Sequence, residues 1–316
     1  MDKLRFYINF SNFNPKSKAM QRRDFLLNTA VAAGAFTLFG KKSFASILDD
    51  PMQFRLLRNN VGMFAEKGGT IAWLTNKEGI VVVDAEFPEQ ANHLITELKK
   101  QSDKPFEWLI NTHHHGDHTS GNIAFKGLVK NVAAHANSLT NQKNAAVAQK
   151  KEDQQLYPDT TYTDTWKIKV GDENIRAYYF GAGHTNGDSM IHFEHANIVH
   201  MGDMVFNRRY PFVDRSAGAS VKNWPVALEM AQKKFDKDTL FIFGHALDPL
   251  KVTGNMDDIK AMQNFMEKLA DFVQSSIKAG KTKDEILQAQ SIPGAPEWQG
   301  DGIQRGLTAA FEEFSA

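Results

Sequence analysis

The stretch Asn-Thr-His-His-His-Gly-Asp-His-Thr, residues 111–119, decides how the rest of the sequence is interpreted. It continues the apolar segment Phe106–Asn111, which predicts that the histidines lie on a loop at the end of a β-strand. His113 and His115 are two residues apart, so both side chains can point in the same direction from an extended backbone. Paired imidazoles at this spacing indicate a metal site.

The second half of the same stretch adds two more candidate ligands. Gly116 allows the chain to turn, so that Asp117 and His118 can approach from another direction. Because each Zn²⁺ ion takes three or four protein ligands, four donors within six residues favour two neighbouring ions over one. The alternative is a surface run of histidines, which would need neither the preceding strand nor the glycine and aspartate.

Three later segments repeat a simpler pattern, in which a strand is followed by a histidine or aspartate close to glycine. They are Gly181–Thr185, Met201–Asp203 and Phe243–His245. One such residue alone is usually an ordinary loop residue, but three of them behind the first cluster indicate a shared site. Together with that cluster they give seven candidate metal ligands: His113, His115, Asp117, His118, His184, Asp203 and His245.

The composition is that of a folded enzyme and limits how a metal can be bound. Of 316 residues, 42% are hydrophobic and 23% are charged, which excludes collagen-like, low-complexity and largely disordered chains. Cysteine is absent, so disulfides, a catalytic thiol and cysteine-based metal sites are excluded. Any metal must therefore be held by histidine, aspartate or glutamate.

Residues 1–45 have the layout of an export signal. A basic beginning is followed by the moderately apolar run Phe25–Phe39 and then by the small-x-small sequence Ser43-Phe44-Ala45. The apolar run is too short and too polar to span a bilayer, so we expect no stable membrane insertion. The alternative is an amphipathic arm of a cytoplasmic protein.

The pair Arg22-Arg23 before Asp-Phe-Leu resembles a twin-arginine signal, which exports proteins that are already folded. This predicts the twin-arginine export machinery as a partner and a periplasmic or secreted location. Met20 is a possible true start, because the signal is complete from that residue onward.

The remaining chain is acidic. Residues 1–45 hold eight basic and two acidic residues, and removing them leaves 29 basic and 35 acidic ones, a net charge of −6. Nucleic-acid binding normally depends on a basic surface, so we expect no nucleic-acid partner and instead a small-molecule substrate.

Hydrophobic periodicity predicts an α+β domain at residues 46–316, with no linker that divides it. The predicted strands are Phe54–Arg58, Gly62–Glu66, Gly69–Asn76, Gly79–Ala85, Phe106–Asn111, Asn131–His135, Tyr162–Val170, Asn174–Phe180, Ser189–Glu194, Asn197–Met201 and Thr239–Phe243. The predicted helices are Pro88–Ser102, Ala136–Glu152, Val221–Phe235, Asp257–Lys278, Lys283–Ala289 and Gly306–Phe314.

The seven candidate ligands, in this order and spacing, resemble the motif of the metallo-beta-lactamase superfamily. The resemblance covers nearly all of residues 46–316 and implies a four-layer αββα sandwich with a metal site at one edge. It implies two Zn²⁺ ions. The ligands implied for the first are His113, His115 and His184. Those implied for the second are Asp117, His118 and His245. Asp203 corresponds to a carboxylate that bridges both metals.

One feature departs from the best-known members. Zinc beta-lactamases of one subclass have cysteine near the position of Asp203, and another subclass lacks that ligand. A bridging aspartate is more typical of the family's thioesterases, lactonases and phosphodiesterases. The resemblance therefore implies the fold without implying antibiotic hydrolysis.

The function we expect is that of a dinuclear zinc hydrolase. A hydroxide held by the metals would attack the carbonyl of a small ester, lactone, thioester or β-lactam. Asp117 is the candidate catalytic residue, because it can orient the nucleophile and transfer its proton. The alternatives are a phosphodiesterase of the same fold, an iron-dependent oxidoreductase of the persulfide dioxygenase type, and an inert metal-binding scaffold.

Supporting residues are predicted around the ligands. Asp84 is expected to accept an N–H bond from a ligand histidine, with a simple turn as the alternative. Thr185 is expected to support His184, and His135 is the one further histidine with a possible role at the site. Candidate pocket walls, with core packing as the alternative, are Met63, Phe64, Phe87, Tyr210, Pro211 and Phe212.

Overall fold

Residues 52–316 are described by the structure, a computed structural model, and they form two large β-sheets with helices on the outer faces. The predicted export signal at 1–45 and the first residues of the predicted domain at 46–316 lie outside the described residues. Within residues 52–316, no helix combines the length and the apolar character needed to cross a membrane.

The first sheet has seven strands in the order of the sequence. They are β1 (Gln53–Arg58), β2 (Val61–Ala65), β3 (Ile71–Thr75), β4 (Ile80–Val83), β5 (Phe106–Asn111), β6 (Val129–His135) and β7 (Thr160–Tyr162). β1 to β4 are antiparallel, whereas β4, β5, β6 and β7 run parallel. Parallel strands end at the same edge of a sheet, so β4 and β5 deliver their following loops to one place.

The second sheet contains β8 (Thr165–Val170), β9 (Glu173–Tyr178), β10 (Met190–Phe193), β11 (Ile198–His200), β13 (Leu240–Ile242) and β15 (Thr253–Gly254). These strands are antiparallel neighbours except for the parallel pair β11 and β13. A small separate pair is formed by β12 (Phe206–Asn207) and β14 (His245–Ala246), which run parallel.

Seven α-helices occur in residues 52–316. They are α1 (Pro88–Gln101), α2 (Gly116–Thr119), α3 (Ala136–Gln149), α4 (Trp224–Lys234), α5 (Met256–Lys278), α6 (Lys283–Leu287) and α7 (Ile303–Phe314). The longest, α5, begins with a capping box. The Asn255 side chain accepts from backbone N–H groups of the first turn, and the Asp258 side chain accepts from the Asn255 N–H, which satisfies donors that a helix start leaves open.

The side chains of alternate strand residues fill separate layers. Val81 and Val83 of β4 pack between the sheets with Phe193 of β10, whereas Ile80 and Val82 face α1. The outer face of the second sheet is covered by α4, α5 and α7. Burying each such side chain contributes roughly 1.5–3 kcal/mol. The order of layers is helix, sheet, sheet, helix, so the expected αββα sandwich is confirmed.

One predicted strand is wrong in its bounds and its assignment. The segment Tyr162–Val170 was expected to be a single strand, but β7 ends at Tyr162 and pairs with β6, while β8 begins at Thr165 and pairs with β9. The chain passes from the first sheet to the second between these strands. Periodicity continues across such a bend, so it does not show where the partner strand changes.

Candidate metal centre

The predicted ligands come together where strands end at one edge of the sandwich. The loop that contains residues 113–118 follows β5, and His184 lies in the loop after β9. Asp203 comes three residues after the end of β11, and His245 begins β14. The edge fits the general rule that sites in sheets with parallel strands form beyond the carboxyl ends of those strands.

The seven side chains form two donor groups, in each of which the donor atoms lie within 4.8 Å of one another. The first group consists of His113, His115, His184 and Asp203. The second group consists of Asp117, His118 and His245. Asp203 also reaches the second group, because its Oδ1 lies 3.0 Å from His118 Nε2 and its Oδ2 lies 3.5 Å from His245 Nε2.

Hydrogen bonds assign the protons of two histidines in the first group. His184 Nδ1 donates to the carbonyl oxygen of Phe212 at 2.7 Å, and His115 Nε2 donates to Asp214 Oδ2 at 2.9 Å. With these protons committed, His184 Nε2 and His115 Nδ1 present lone pairs to each other across 2.7 Å. Burial lowers the pKa of His184 to about 3, so at neutral pH we expect no proton between these two nitrogens.

The proton of His113 can be assigned in the same way. Its Nδ1 lies 3.0 Å from the hydroxyl of Thr112, which itself donates to Asp84 Oδ2 at 2.7 Å and therefore accepts from the imidazole. The lone pair of His113 Nε2 then faces His115 Nδ1 at 3.2 Å. Three imidazole lone pairs point into one space, which is the arrangement that a cation requires.

The second group also contains two buried atoms that face each other without a recorded hydrogen bond. His118 Nδ1 donates to Asp84 Oδ2 at 2.8 Å, and its Nε2 lies 3.0 Å from Asp203 Oδ1. Neither of these facing atoms has a hydrogen-bond partner among residues 52–316, and both are buried. Across the group, His245 Nε2 lies 3.1 Å from Asp117 Oδ2.

The charges in the centre depend on one another. Burial raises the pKa of Asp203, but the surrounding histidines, His245 and His118 foremost, outweigh it and hold the pKa well below its usual range. Burial lowers the pKa of His118, but Asp203, Asp117 and Asp84 outweigh it and raise that pKa well above its usual range. A carboxylate cluster that pulls a positive charge onto a buried imidazole would equally attract a metal ion.

These observations show that the residues fit a divalent metal ion. Imidazole nitrogen and carboxylate oxygen are the ligands of Zn²⁺ when cysteine is absent. In His113, His115, His118 and His184 the nitrogen that faces inward is held in place by an outward hydrogen bond from the same ring, as is usual for metal-binding histidines. The two groups share Asp203, which places them side by side.

The expected role of Asp84 is confirmed. Its carboxylate accepts from His118 Nδ1, from the Thr112 hydroxyl and from the Thr112 backbone N–H at 2.7–2.8 Å. Asp84 directly follows β4 and has φ +66°, a left-handed conformation that costs energy in a residue with a side chain. The completely buried carboxylate compensates with three hydrogen bonds and fixes both a ligand ring and the start of the histidine loop.

Two glycines leave space for the ligands. A Cβ at Gly69 would overlap the imidazole ring of His118, and a Cβ at Gly244 would overlap Asp203 Oδ1. Gly69 N also donates to the carbonyl oxygen of Asp117, which ties the turn before β3 to the histidine loop. These close approaches explain why glycine occupies both positions.

Two expectations about neighbouring residues are wrong. Thr185 does not contact the imidazole of His184, because its hydroxyl donates to buried Asp188 at 2.6 Å. His135 lies away from the centre, where its Nε2 bonds the carbonyl oxygen of Thr163 and its Nδ1 accepts from Asn137 N at the start of α3. Both residues end or follow strands, as ligands do, but their hydrogen bonds serve local loop structure.

Asp214 was missed by the sequence analysis. It accepts from His115 Nε2, and its other oxygen accepts from Ser216 and from the backbone of Ala217. His114 Nε2 lies 3.7 Å from the same carboxylate, so His114 faces Asp214 rather than the two donor groups. Because 99 residues separate Asp214 from His115, no local spacing could have indicated this contact.

A cavity of about 330 Å³ opens onto the centre. Its wall includes the metal-ligand candidates His115, Asp117, Asp203 and His245, together with Phe206, Tyr210, Pro211 and Phe212. A neighbouring cavity of about 390 Å³ shares Asp117 and His245 and is lined by Phe87. Of the candidate wall residues, only Met63 and Phe64 belong wholly to the core.

Comparisons with known proteins agree with this geometry. The family model of the metallo-beta-lactamase superfamily matches residues 66–245. The metallo-beta-lactamase IND-1 of Chryseobacterium indologenes is 24% identical over 226 residues, which cover 69% of this chain and 89% of that protein. The type 2 metallo-beta-lactamase of Elizabethkingia meningoseptica is 23% identical over 203 residues, covering 64% of this chain and 75% of that protein.

Solved structures share the fold at low sequence identity. A metallo-beta-lactamase from Pontibacter korlensis aligns with a TM-score of 0.57 at 19% identity, covering 68% of this chain and 99% of its own. A double mutant of the secondary-alkyl sulfatase PisA1 aligns with a TM-score of 0.69 at 12% identity, covering 83% of this chain and 50% of its own. The family match spans more than half of the sequence. The chain therefore belongs to the metallo-beta-lactamase superfamily and is a metal-dependent hydrolase.

Proposed function

We propose that this protein is a dinuclear zinc hydrolase that cleaves a small ester, lactone, thioester or β-lactam at its carbonyl carbon. The observation that carries the proposal is the convergence of two donor groups on the shared carboxylate of Asp203. A single ion would occupy one donor group and leave the other without a metal. Each buried polar atom that then has no partner, such as His118 Nε2, costs about 1–3 kcal/mol.

We assign one zinc ion to His113, His115 and His184 and the other to Asp117, His118 and His245, with Asp203 between them. Bound Zn²⁺ supplies a Lewis acid for the substrate carbonyl and lowers the pKa of water from 15.7 to about 7. The protein holds the donors rigidly, because Asp84, Asp214 and the Phe212 carbonyl fix three of the imidazole rings from outside.

Asp117 is the residue that we assign to orienting the nucleophile. Its carboxylate lines the cavity, and its side chain is 34% exposed, in contrast to buried Asp203. Burial raises the pKa of Asp117, but His118 and His245 outweigh it and hold the pKa well below its usual range. Asp117 therefore stays ionised and can accept a hydrogen bond from an attacking water.

The relatives support the reaction class without choosing the substrate. The curated relatives are named as beta-lactamases, which places β-lactams in the set of substrates to test. At 23–26% identity, however, a common fold does not imply a common substrate. A phosphodiesterase and an iron-dependent oxidoreductase remain the alternatives, and the acidic charge of residues 46–316 disfavours long nucleic acids as phosphodiester substrates.

The proposal is tested by metal analysis and a substrate panel on the zinc-loaded protein. We expect about two zinc ions per chain and turnover of at least one chromogenic ester, lactone, thioester or β-lactam. The Asp117→Ala variant serves as the active-site control and should lose most of that turnover. Binding of one iron ion with no hydrolysis would overturn the proposal, as would turnover confined to phosphodiesters.

We also propose that the twin-arginine machinery exports the protein to the periplasm or the medium. The support is the pair Arg22-Arg23 followed by a short apolar run. Replacing both arginines by lysine should retain the protein in the cytoplasm, as measured by cell fractionation, while Lys41→Arg as a control should leave export unchanged. Equal fractionation of the double variant and the wild type would refute this assignment.

A further inference from the structure

Two arginines from distant parts of the chain line the cavity of the metal centre. Arg209 follows β12, and Arg305 lies in the first turn of α7. Both are solvent-exposed residues, and both share the cavity wall with His115, Asp117 and His245. Positive side chains therefore stand beside the space in which a substrate would meet the metal ligands.

These two arginines differ from the others in residues 52–316 because their side chains form no hydrogen bond or ion pair within those residues. Five arginines in this part of the chain form hydrogen bonds or ion pairs: Arg55, Arg58, Arg176, Arg208 and Arg215. Within the described residues, Arg209 and Arg305 form neither, although Asp301 lines the same cavity. Arg208, the neighbour of Arg209, forms an ion pair in which its Nη2 lies 3.5 Å from Asp258 Oδ1. The unpaired guanidinium groups therefore coincide with the cavity.

Arg305 is held on the wall by an aromatic ring. Its guanidinium carbon lies 5.5 Å from the centre of the Phe212 ring, a distance at which the cation and the ring face attract each other. The Phe212 ring centre lies 5.4 Å from that of His115, a predicted ligand. Phe212 therefore connects the guanidinium to the edge of the metal centre and leaves the N–H donors of Arg305 available.

The charge balance leaves these arginines free for a ligand. The carboxylates of Asp117 and Asp203 face the histidines and the metal positions, so they do not need the arginines for neutralisation. Residues 46–316 are acidic overall. Two arginines without an ion-pair partner at one cavity of such a chain create a local attraction for anions. Guanidinium groups present planar pairs of donors that match a carboxylate or another oxyanion.

We propose that Arg209 and Arg305 bind an anionic group of the substrate, so that the hydrolase acts on small carbonyl compounds that carry a carboxylate or a similar oxyanion. This inference rests on the proposed function for the cleavage step. Arg305 lies beyond residues 66–245, the part of the chain matched by the family model, so the superfamily match does not assign it a role.

The test compares two esters that differ only in charge. The 4-nitrophenyl ester of glutaric acid carries a free carboxylate, and its methyl ester is a neutral counterpart with the same leaving group. The variants are Arg209→Ala, Arg305→Ala and the double replacement. The control is Arg176→Ala, which removes the same charge from the second sheet, away from the cavity. Thermal unfolding verifies that each variant is folded.

We expect each cavity variant to raise KM for the anionic ester by about tenfold or more, in line with the loss of a charge-assisted hydrogen bond. Turnover of the neutral ester and all properties of the control should change by less than about twofold. Equal changes for both esters, or no change for either, would overturn the assignment of the arginines while leaving the hydrolase proposal intact.

A binding measurement separates this inference from the proposed function. Monomethyl glutarate is titrated into the metal-free protein and followed by NMR, so that neither catalysis nor metal coordination contributes. The double replacement should weaken binding at least about tenfold relative to wild type and to Arg176→Ala. Unchanged affinity would overturn the inference. If the zinc-loaded wild type cleaves neither ester nor any carbonyl substrate of the panel, the proposed function fails and the titration alone decides the role of the arginines.

Discussion

At the scale of single residues, the evidence for a metal site is which ring nitrogens carry a proton and which face inward without one. His115 and His184 each commit one ring nitrogen to an outside acceptor, and the other nitrogens face each other with lone pairs. Asp203 Oδ1 lies 3.0 Å from His118 Nε2, and neither buried atom has a hydrogen-bond partner within residues 52–316. Such repulsive contacts inside a buried site persist only when a cation lies between the donors.

Removing the shared carboxylate should disrupt the metal pair. We expect Asp203→Ala to bind no more than one zinc ion and to lose at least about 100-fold in kcat/KM, because both donor groups lose an oxygen ligand. Metal content and turnover measure the effect, with Asp172→Ala on the surface as the control. Near-wild-type turnover with two ions still bound would contradict the bridging role.

Asp84 should affect metal affinity without touching the metal. An amide in Asp84→Asn cannot accept all three bonds from Thr112 and His118, so the His118 ring loses its fixed orientation. We expect zinc affinity at the second donor group to fall about 10–100-fold. Competition with a chelator measures this, and Asp172→Asn is the matched control. An unaltered affinity would show that Asp84 only shapes the turn.

At the scale of elements, loops from both sheets build the centre and hydrogen bonds join those sheets. His200, at the end of β11, donates from Nε2 to the carbonyl oxygen of Thr70 at 2.7 Å and accepts from Gly202 N at 3.0 Å. Gly202 has φ +50° and begins the turn that carries Asp203. The neutral His200 ring thus links the start of β3 to the Asp203 turn.

The stability of the metal-free protein should depend on the charge of His200. Burial lowers the pKa of His200, so below pH 6.5 the unfolded chain binds this proton more readily than the folded one. Stability from neutral His200 is therefore present above pH 6.5 and is lost as the pH falls. We expect His200→Leu to be less stable by about 1–3 kcal/mol at pH 8, with a smaller deficit at pH 5.

Urea unfolding of both proteins at the two pH values measures this difference. Because both chains share their other histidines, contributions from those residues largely cancel in the comparison. A deficit that stayed constant between pH 8 and pH 5 would mean that His200 has an ordinary pKa in the folded protein.

Local sequence patterns predict long strands but not very short ones. The strand that leads into the histidine loop was predicted with its observed bounds, Phe106–Asn111, because a mostly apolar segment precedes the polar histidine loop. The strands β12, β14 and β15 were not predicted, since each has only two residues and leaves no periodic pattern. His245 lies in one of them, so its strand position could not be derived from periodicity.

At the scale of the whole molecule, the layers and the convergence of the seven candidate ligands could be predicted, but the surroundings of these residues could not. Apolar strands and amphipathic helices indicate an α+β domain, the resemblance of the ligand pattern to the superfamily implies the sandwich, and clustered histidines indicate a metal site. Asp214, Arg209 and Arg305 reach the centre from segments that contain no recognisable motif. Their roles depend on which loops meet, and that is decided by tertiary packing rather than by local sequence.

Metal binding should stabilise the entire domain, because the donors come from both sheets and exist as a site only in the folded chain. At a free zinc concentration of 100 times Kd, one site contributes about 2.7 kcal/mol to the free energy of unfolding. We expect zinc to raise Tm by several degrees, as measured by calorimetry, and Asp203→Ala to show a smaller shift. An identical shift in both proteins would indicate zinc binding elsewhere.

The most direct test of the account is anomalous diffraction at the zinc edge from crystals of the zinc-loaded protein. We expect two peaks, one among His113, His115 and His184 and one among Asp117, His118 and His245, with the Asp203 carboxylate between them. A single peak in only one group, or peaks away from both groups, would contradict it.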